Sequence, residues 1–288
     1  MKSPARTLFE APFDFTPALS GAAPVLFASP HSGSHYPDAM QDALCVPLLD
    51  VRRTEDAFID ELFAGAPALG GALIAARYGR SVVDLNRDPH ELDAAMFRDG
   101  APRACALPTA RVEAGLGCLP RVGARGETIY ARLLSQAEGE ERLVHIHDAY
   151  HQHLADTLDT LRREHGRALL IDCHSMPSVQ PGRRILTDIV LGDRFGSSAD
   201  SRLMTRIERS FRAQGFTVAR NAPYAGGYTT RRYGRPRRGI HALQVEINRG
   251  LYMDEQRITR APGFAGLKDA LQAVMAEIIE AAHLLPRG

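Results

Sequence analysis

The stretch from 168 to 175 reads Ala-Leu-Leu-Ile-Asp-Cys-His-Ser, an unbroken apolar run that passes directly into polar residues. An apolar run of this length without alternation is typical of a strand buried on both faces of a parallel sheet. Residues 25–33 repeat the transition, since Val-Leu-Phe-Ala leads into Ser-Pro-His-Ser-Gly. Three further runs are predicted to be buried strands for the same reason: Ala72–Ala76, Val82–Leu85 and Ala242–Ile247.

Segments with helical spacing separate these runs. Apolar residues recur at helical intervals in 58–63, in 127–160 and in 267–285, each time among charged residues. Strands that alternate with helices predict an α/β fold with a largely parallel or mixed sheet. Because the chain contains no internal repeat and no long linker, we expect one domain over residues 1–288.

Two segments rich in Gly, Pro and Arg, 99–126 and 221–239, are predicted to be loops. Within the second, Ala-Gly-Gly-Tyr-Thr-Thr at 225–230 suits a binding loop with glycine hinges or an ordinary surface turn. Ligands of open α/β sheets bind beyond the carboxyl ends of the strands. The polar residues that directly follow the apolar runs are therefore the candidates for function.

The overall composition excludes several classes of protein. With 35 Lys and Arg against 34 Asp and Glu, the formal charge of +1 is too balanced for a protein that tracks nucleic-acid phosphates. The sequence contains no apolar span long enough for a bilayer and starts without a signal-peptide pattern, which predicts a cytoplasmic protein. The 4 cysteines form no CxxC pair and are interpreted as free thiols.

His31 and His174 each lie on a turn that follows a predicted strand, where an imidazole can project into a shared cleft. His and carboxylate side chains together suit zinc. The third ligand is expected from Glu55 or Asp56, which open the predicted helix after the first strand, and we favour Asp56. Such a site of two histidines and one carboxylate leaves a position open for water.

A second histidine cluster, His145, His147, His151 and His153, competes for the metal. His147 and His151 are four residues apart, a spacing that places two imidazoles on one helix face. The Glu that normally follows the first His of such a motif is missing, because Asp148 stands there. We therefore favour a surface or packing role for this cluster.

Glu246 ends a Val-rich strand and is the candidate general base. Burial beside a dication would tune its pKa for taking a proton from water and returning it to a leaving amine. The alternative is a buried carboxylate that Arg249 holds for structural reasons. Arg249 is also a candidate anion contact for the substrate.

Asn86 and Arg87 form a candidate clamp for a substrate carboxylate, since a guanidinium binds a carboxylate through two parallel hydrogen bonds. Arg80 precedes this pair on a turn and is placed to stabilise a developing oxyanion. A structural ion pair of Arg87 with Asp84 or Asp88 is the alternative. Arginines around one cleft favour a small anionic substrate.

Several short motifs follow one another along nearly the whole chain: Ser-Pro-His-Ser-Gly at 29–33, Asp56 and Asp60, Asp-Leu-Asn-Arg at 84–87, Tyr150-His151, Asp-Cys-His-Ser at 172–175, Gly226-Gly227, and Glu-Ile-Asn-Arg at 246–249. In this order the motifs resemble those of the N-formylglutamate amidohydrolase family. The resemblance implies a three-layer fold with a mixed sheet, one zinc ion, and hydrolysis of N-formyl-L-glutamate to formate and glutamate in histidine degradation. The implied zinc ligands are His31 and His174.

The same resemblance implies Glu246 as the base, Arg80 as the residue that polarises the carbonyl, and Asn86 with Arg87 as the carboxylate clamp. The layout is more distantly similar to zinc carboxypeptidases and aspartoacylase, which implies a carboxypeptidase-like, phosphorylase/hydrolase-like fold. Those enzymes take two ligands from an HxxE motif, whereas Ser34 stands three positions after His31. Two other functions stay open: a deacylase or peptidase for another N-acyl amino acid, and a binder of an acidic metabolite without catalysis.

Overall fold

A computed structural model of the chain describes residues 11–19, 21–107, 109–179 and 187–288. Its centre is a seven-stranded sheet with the strand order β1-β3-β2-β4-β7-β5-β6. The strands of this sheet are β1 (Phe13–Thr16), β2 (Val25–Ser29), β3 (Ala72–Ala76), β4 (Ala168–Met176), β5 (Ile189–Gly192), β6 (Val218–Arg220) and β7 (Ile240–Asn248). A separate small hairpin consists of β8 (Met253–Asp254) and β9 (Thr259–Arg260).

The four central strands of the sheet, β3, β2, β4 and β7, run parallel to one another. The strand β1 joins one side antiparallel to β3, and β5 joins the other side antiparallel to β7. The sheet is therefore mixed, as predicted. The predicted strands in 25–28, 72–76, 168–172 and 242–247 are confirmed as these four central strands. Because β4 continues to Met176, the prediction that His174 lies on a turn is wrong.

Helices cover both faces of the sheet. They are α1 (Asp38–Gln41), α2 (Leu48–Arg52), α3 (Ile59–Leu62), α4 (Ala110–Glu113), α5 (Gln136–Arg142), α6 (Ala149–His165), α7 (Ser201–Ala213), α8 (Tyr228–Tyr233) and α9 (Phe264–Ala282). A π-helical turn, Leu143–Asp148, joins α5 to α6, and short 3-10 turns occupy Ala66–Leu69, Ala94–Met96, Pro236–Arg238 and Arg249–Leu251. In the described part of the chain, no helix has the length and apolar character needed to cross a membrane.

Two apolar cores, one on each face of the sheet, hold the layers together. On one face, Leu271 and Ile278 of α9 and Phe211 of α7 are fully buried. On the other face, Leu154 and Leu158 of α6 pack against the sheet. Alternate residues of the central strands point to opposite faces, so each strand contributes to both cores. This arrangement is an α/β fold with a mixed sheet between helices.

The prediction of a strand at Val82–Leu85 is wrong, because these residues lie in turns and irregular backbone. Asp84 accepts a hydrogen bond from the Asn86 backbone N–H at 2.9 Å, a local bond that competes with strand pairing. The apolar side chains of this run, Val82, Val83 and Leu85, are buried in the core beside α6. A buried apolar run thus occurs here without a strand.

The predicted helix within 127–160 begins later than expected. Ile129 lies in an extended segment, where its N–H donates to the Arg121 carbonyl at 3.0 Å. The helix α5 starts after Ser135, whose side chain and Glu138 form a reciprocal capping box. The predicted loop 221–239 also contains the helix α8, and the predictions did not include the strands β1, β5 and β6.

The parallel strands bring the predicted functional residues to one edge of the sheet. In the register of β2 with β4, Ala28 is paired with Asp172, so His31 lies just beyond the same edge. In the register of β4 with β7, His174 is paired with Glu246. The carboxyl ends of three neighbouring strands therefore supply His31, His174 and Glu246 to one place.

Candidate active site

A cleft of about 740 Å³ opens at this edge of the sheet. Its walls include eight of the side chains that the sequence singled out for chemistry: His31, Asp56, Arg80, Asn86, Arg87, His174, Glu246 and Arg249. The turn 223–227 and the segment around residues 111–126 complete the lining. The cleft therefore lies beyond the carboxyl ends of the parallel strands, where α/β folds bind their ligands.

His31, Asp56 and His174 converge at the base of the cleft. One donor atom of each lies within 4.8 Å of the others, and all three side chains are buried. Asp56 Oδ2 is 3.0 Å from His174 Nδ1 and 3.3 Å from His31 Nδ1. Glu55, the alternative third ligand, instead binds Tyr36 and Arg52 at 3.0 Å each. Asp56 is thus the carboxylate that faces both imidazoles.

A second carboxylate lies close to the far nitrogen of each imidazole, as a hydrogen bond at His31 and as an ion-pair contact at His174. His31 Nε2 lies 2.7 Å from Asp84 Oδ1, and His174 Nε2 lies 3.1 Å from Asp172 Oδ1. Histidine ligands of metals commonly donate their other N–H to a carboxylate, which fixes the tautomer and the ring orientation. The sequence reasoning missed Asp84 and Asp172, although each belongs to a motif that it quoted.

The charges around the two imidazoles suit a cation. Burial opposes ionisation of His174, but the carboxylates of Asp172 and Asp56 outweigh it and raise the pKa of this imidazole well above its usual value. Burial also opposes ionisation of Asp56, yet His174, His31 and Arg249 hold its pKa well below the usual range. His31 Nδ1 is buried and has no hydrogen-bond partner among the described residues. The donor set of two imidazole nitrogens and one carboxylate oxygen therefore fits zinc.

Glu246 differs from the other acids of the cleft. Burial, together with the nearby charge of Asp56, raises the pKa of Glu246 to about 7. Its Oε1 accepts a hydrogen bond from Gln244 Nε2 at 2.7 Å. A carboxylate with a pKa near neutrality can both accept and donate a proton at physiological pH.

Arg80 and Arg249 are both paired with carboxylates of the site. Arg80 Nη2 donates to Asp84 Oδ2 at 2.7 Å. Arg249 Nη2 donates to Asp56 Oδ1 at 2.8 Å, and Arg249 Nε donates to the Ser175 hydroxyl at 3.0 Å. The alternative in which Arg249 holds Glu246 is not the observed contact, because Arg249 binds Asp56.

Asn86 and Arg87 lie side by side on the turn beyond Asp84. Asn86 Nδ2 is 3.1 Å from His174 Nε2, and Asn86 Oδ1 accepts the Thr229 N–H at 2.9 Å. Arg87 donates through Nη1 to the Asn86 carbonyl at 2.9 Å, while its Nη2 lies 4.0 Å from Asp84. The Nη2 end of Arg87 forms no hydrogen bond with the residues that the structure describes, so it can donate to an anion.

In the second histidine cluster, His147 and His151 contact the backbone of this turn instead of forming a metal-binding site. His147 Nε2 lies 3.0 Å from the Arg87 carbonyl, and His151 Nε2 lies 2.8 Å from the Leu85 carbonyl. Burial is the main reason that the pKa of His151 is well below its usual value. Among the described residues, the side chains placed to hold a metal ion together are His31, Asp56 and His174.

The turn before α8 packs tightly against Asn86. A Cβ atom at Gly227 would lie 2.4 Å from Asn86 Nδ2, a distance at which the atoms would overlap. The Gly227 N–H donates to Gln244 Oε1 at 2.8 Å. Gly227 is therefore required for the close approach of this turn to the cleft.

Comparison with known proteins identifies the family. The sequence profile of the N-formylglutamate amidohydrolase family matches residues 23–253. The chain belongs to this family. The N-formylglutamate deformylase of Pseudomonas aeruginosa is 34% identical to this amidohydrolase over 270 residues, which cover 90% of this chain and 92% of that protein. The N-formylglutamate deformylase of Pseudomonas putida is also 34% identical over 270 residues, covering 89% of this chain and 94% of that protein.

Solved structures support the family and the fold of this amidohydrolase. The crystal structure of N-formylglutamate amidohydrolase from Ralstonia eutropha superposes with a TM-score of 0.89 at 33% sequence identity, covering 95% of this chain and 99% of that chain. A protein of Agrobacterium tumefaciens superposes with a TM-score of 0.65 at 19% identity, covering 95% of each chain, and shares the fold. The predicted likeness to zinc carboxypeptidases stays a prediction.

Proposed function

We propose that this amidohydrolase cleaves the amide bond of N-formyl-L-glutamate to give formate and L-glutamate, with a zinc ion held by His31, Asp56 and His174. The reaction would serve histidine degradation. The observation that carries the proposal is the convergence of these three buried side chains beside Glu246, whose pKa is raised to about 7. We place the reaction in the cytoplasm, where free thiols such as its 4 cysteines persist.

The residues of the cleft divide the chemical work. When bound, the zinc ion supplies Lewis-acid chemistry, which polarises a carbonyl and makes water more acidic. Glu246 takes a proton from the attacking water at a carboxylate oxygen and returns it to the amine nitrogen that leaves. Arg80 donates to the oxygen of the formyl carbonyl as negative charge develops there. Asp84 holds Arg80 in place through the 2.7 Å hydrogen bond.

Arg87 and Asn86 position the substrate in this proposal. The Nη2 end of Arg87 donates to the α-carboxylate of glutamate, and Asn86 keeps the turn fixed against His174. Fixing the carboxylate fixes the formyl carbon relative to Glu246, which lowers the entropic cost of reaching the transition state. Arg249 orients Asp56 through their 2.8 Å contact and is a candidate anion contact as well.

The test is a hydrolysis assay of the zinc-loaded protein with N-formyl-, N-acetyl- and N-succinyl-L-glutamate. We expect release of formate from the first compound at a kcat/KM at least about 100-fold above the others, a ratio that corresponds to about 3 kcal/mol. His31→Ala and His174→Ala should lose both zinc and activity. A preference for another acyl group would assign a different deacylase activity, and tight binding of these compounds without zinc or turnover would assign a binding protein.

A further inference from the structure

We propose that Arg111 makes the enzyme selective for substrates with a second carboxylate, by binding the side-chain carboxylate of N-formylglutamate at the mouth of the cleft. This inference rests on the proposed function and adds to it the residue that distinguishes glutamate from uncharged amino acids. Arg111 lies on α4, a short helix within the segment 99–126 that the sequence predicted to be a loop.

Arg111 is the guanidinium of the cleft whose charge is least compensated. Arg80 and Arg249 each hold a carboxylate at hydrogen-bond distance, at 2.7 and 2.8 Å. Arg53 pairs with Asp50 outside the cleft. The side chain of Arg111 lines the cleft yet forms no hydrogen bond or ion pair with any residue that the structure describes. All five of its N–H groups are therefore available to a ligand.

The segment that carries Arg111 is fixed relative to Arg87. The Leu116 N–H donates to the Arg111 carbonyl at 2.8 Å, and the Leu116 carbonyl accepts from Arg87 Nε at 3.2 Å. At the start of α4, the Thr109 side chain accepts from the Val112 N–H, and Val112 is buried. Leu116 thus binds both the backbone of Arg111 and the guanidinium of Arg87, and the side chains of both arginines line the cleft.

The local charge favours a dianion between these groups. Partial burial and the nearby charges of Arg87 and Arg231 lower the pKa of Arg111 and outweigh the opposite effect of Glu91 and Asp84. Among the described residues, 5 arginines but only 3 carboxylates line the cleft, and the proposed zinc ion would add further positive charge. An anion with one charge would leave this excess partly uncompensated, whereas a dicarboxylate would place one charge beside Arg111 and one beside the Nη2 end of Arg87.

The order of the groups along the cleft matches the order of the groups in the substrate. Arg87 adjoins Asn86, whose amide contacts the proposed zinc ligand His174 at 3.1 Å. Arg87 is partly buried, whereas Arg111 is exposed, as a residue at the mouth of the cleft would be. In N-formylglutamate the α-carboxylate is nearer the amide nitrogen than the side-chain carboxylate is. Arg87 therefore takes the α-carboxylate, and Arg111 takes the other.

The test compares two substrates of nearly equal shape, N-formyl-L-glutamate and N-formyl-L-glutamine, in the zinc-loaded enzyme. For Arg111→Gln we expect kcat/KM for the glutamate compound to fall about 10- to 100-fold, mainly through KM, because a charge-assisted contact is lost. The value for the glutamine compound should stay within about twofold. Arg111→Lys should recover part of the loss. Arg231→Gln is the matched control, since Arg231 is an exposed arginine near Arg111 that pairs with Asp88.

Equal losses of activity on both substrates, or no loss on either, would overturn the role of Arg111. The same losses in Arg231→Gln would mean that net charge alone accounts for the effect. Calorimetric binding of glutarate and of its monoamide separates this inference from the proposed function. If the wild-type enzyme cleaves neither substrate, the proposed function fails. Glutarate binding that is weakened in Arg111→Gln alone would still support the second-carboxylate site, and unchanged binding would refute it.

Discussion

Replacing Glu246 with glutamine tests the assignment of the general base most directly. The amide keeps the shape of the carboxylate but cannot take a proton at neutral pH. We expect kcat to fall about 1,000-fold, within the range that general base catalysis contributes. Zinc content should be unchanged, because Glu246 is not among the three converging side chains His31, Asp56 and His174. Formate release and metal analysis of the same preparation measure both effects.

The same substitution has a predicted effect on the stability of the metal-free protein. Folding raises the pKa of Glu246 from its ordinary 4.5 to about 7, chiefly through burial. The folded state therefore binds this proton more tightly than the unfolded state, so stability from this group is highest below pH 4.5. It is lost as the pH rises through 7, with a total change of about 3 kcal/mol.

Urea unfolding of the EDTA-treated wild type and of Glu246→Gln at pH 5 and pH 8 checks this change. Between pH 5 and pH 8, the free energy of unfolding of the variant should rise by about 2 to 3 kcal/mol relative to that of the wild type. Comparing the shift, and not the absolute stabilities, removes the constant effect of the substitution. Turnover within about tenfold of wild type, with zinc bound, would refute the role as base. A difference independent of pH would refute the argument from burial.

Three further predictions concern the metal and the core. Asp84→Asn should weaken zinc binding about 10- to 100-fold, because it changes the group that orients His31. Asp254→Asn, which lies away from the cleft, should leave zinc binding unchanged. Competition with a chromogenic chelator measures the zinc affinity of both variants. Removal of zinc with EDTA should lower Tm and its return should restore Tm, since a ligand that binds only the folded state stabilises it; an unchanged Tm would argue against a resident metal. Leu271→Ala should cost about 2 to 5 kcal/mol in urea unfolding because Leu271 is fully buried, but Leu284→Ala, at an exposed position, should cost less than about 0.5 kcal/mol.

The central strands could be predicted because burial on both faces leaves a clear pattern. Strands β2, β3, β4 and β7 are flanked by sheet neighbours and covered by helices, so each contains a buried, largely apolar run. The outer strand β1 alternates between partly buried and exposed residues and lacks that pattern. The run at 82–85 has the pattern without the strand, because a buried turn excludes water as completely as a sheet does.

The chemistry-bearing residues at the strand ends could be predicted, but their distant partners could not. His31 and His174 follow apolar runs, which made them visible in the sequence. Asp172 and His174 lie two residues apart in β4 and therefore share a face of the sheet, which the sequence analysis did not use. The contact between His31 and Asp84 joins residues 53 positions apart, and no local pattern predicts it. The position of Arg111 depends on the hydrogen bonds of Leu116, for which the sequence contains no periodic signal.

The pairing of charges in the cleft explains why Glu246, and no other acid there, is suited to move a proton. Asp56 is bound by Arg249 and faces two imidazoles, and Asp84 is bound by Arg80 and His31, so both have pKa values held well below the usual range despite burial. Among the residues described, the remaining carboxylate of the cleft is Glu246, whose hydrogen bond comes from the neutral amide of Gln244. A neutral donor compensates burial less than a cation does, so the pKa of Glu246 rises to about 7. When the pKa values of acids in one site differ in this way, the acids with lowered pKa values stay charged and the acid with the raised pKa can carry a proton.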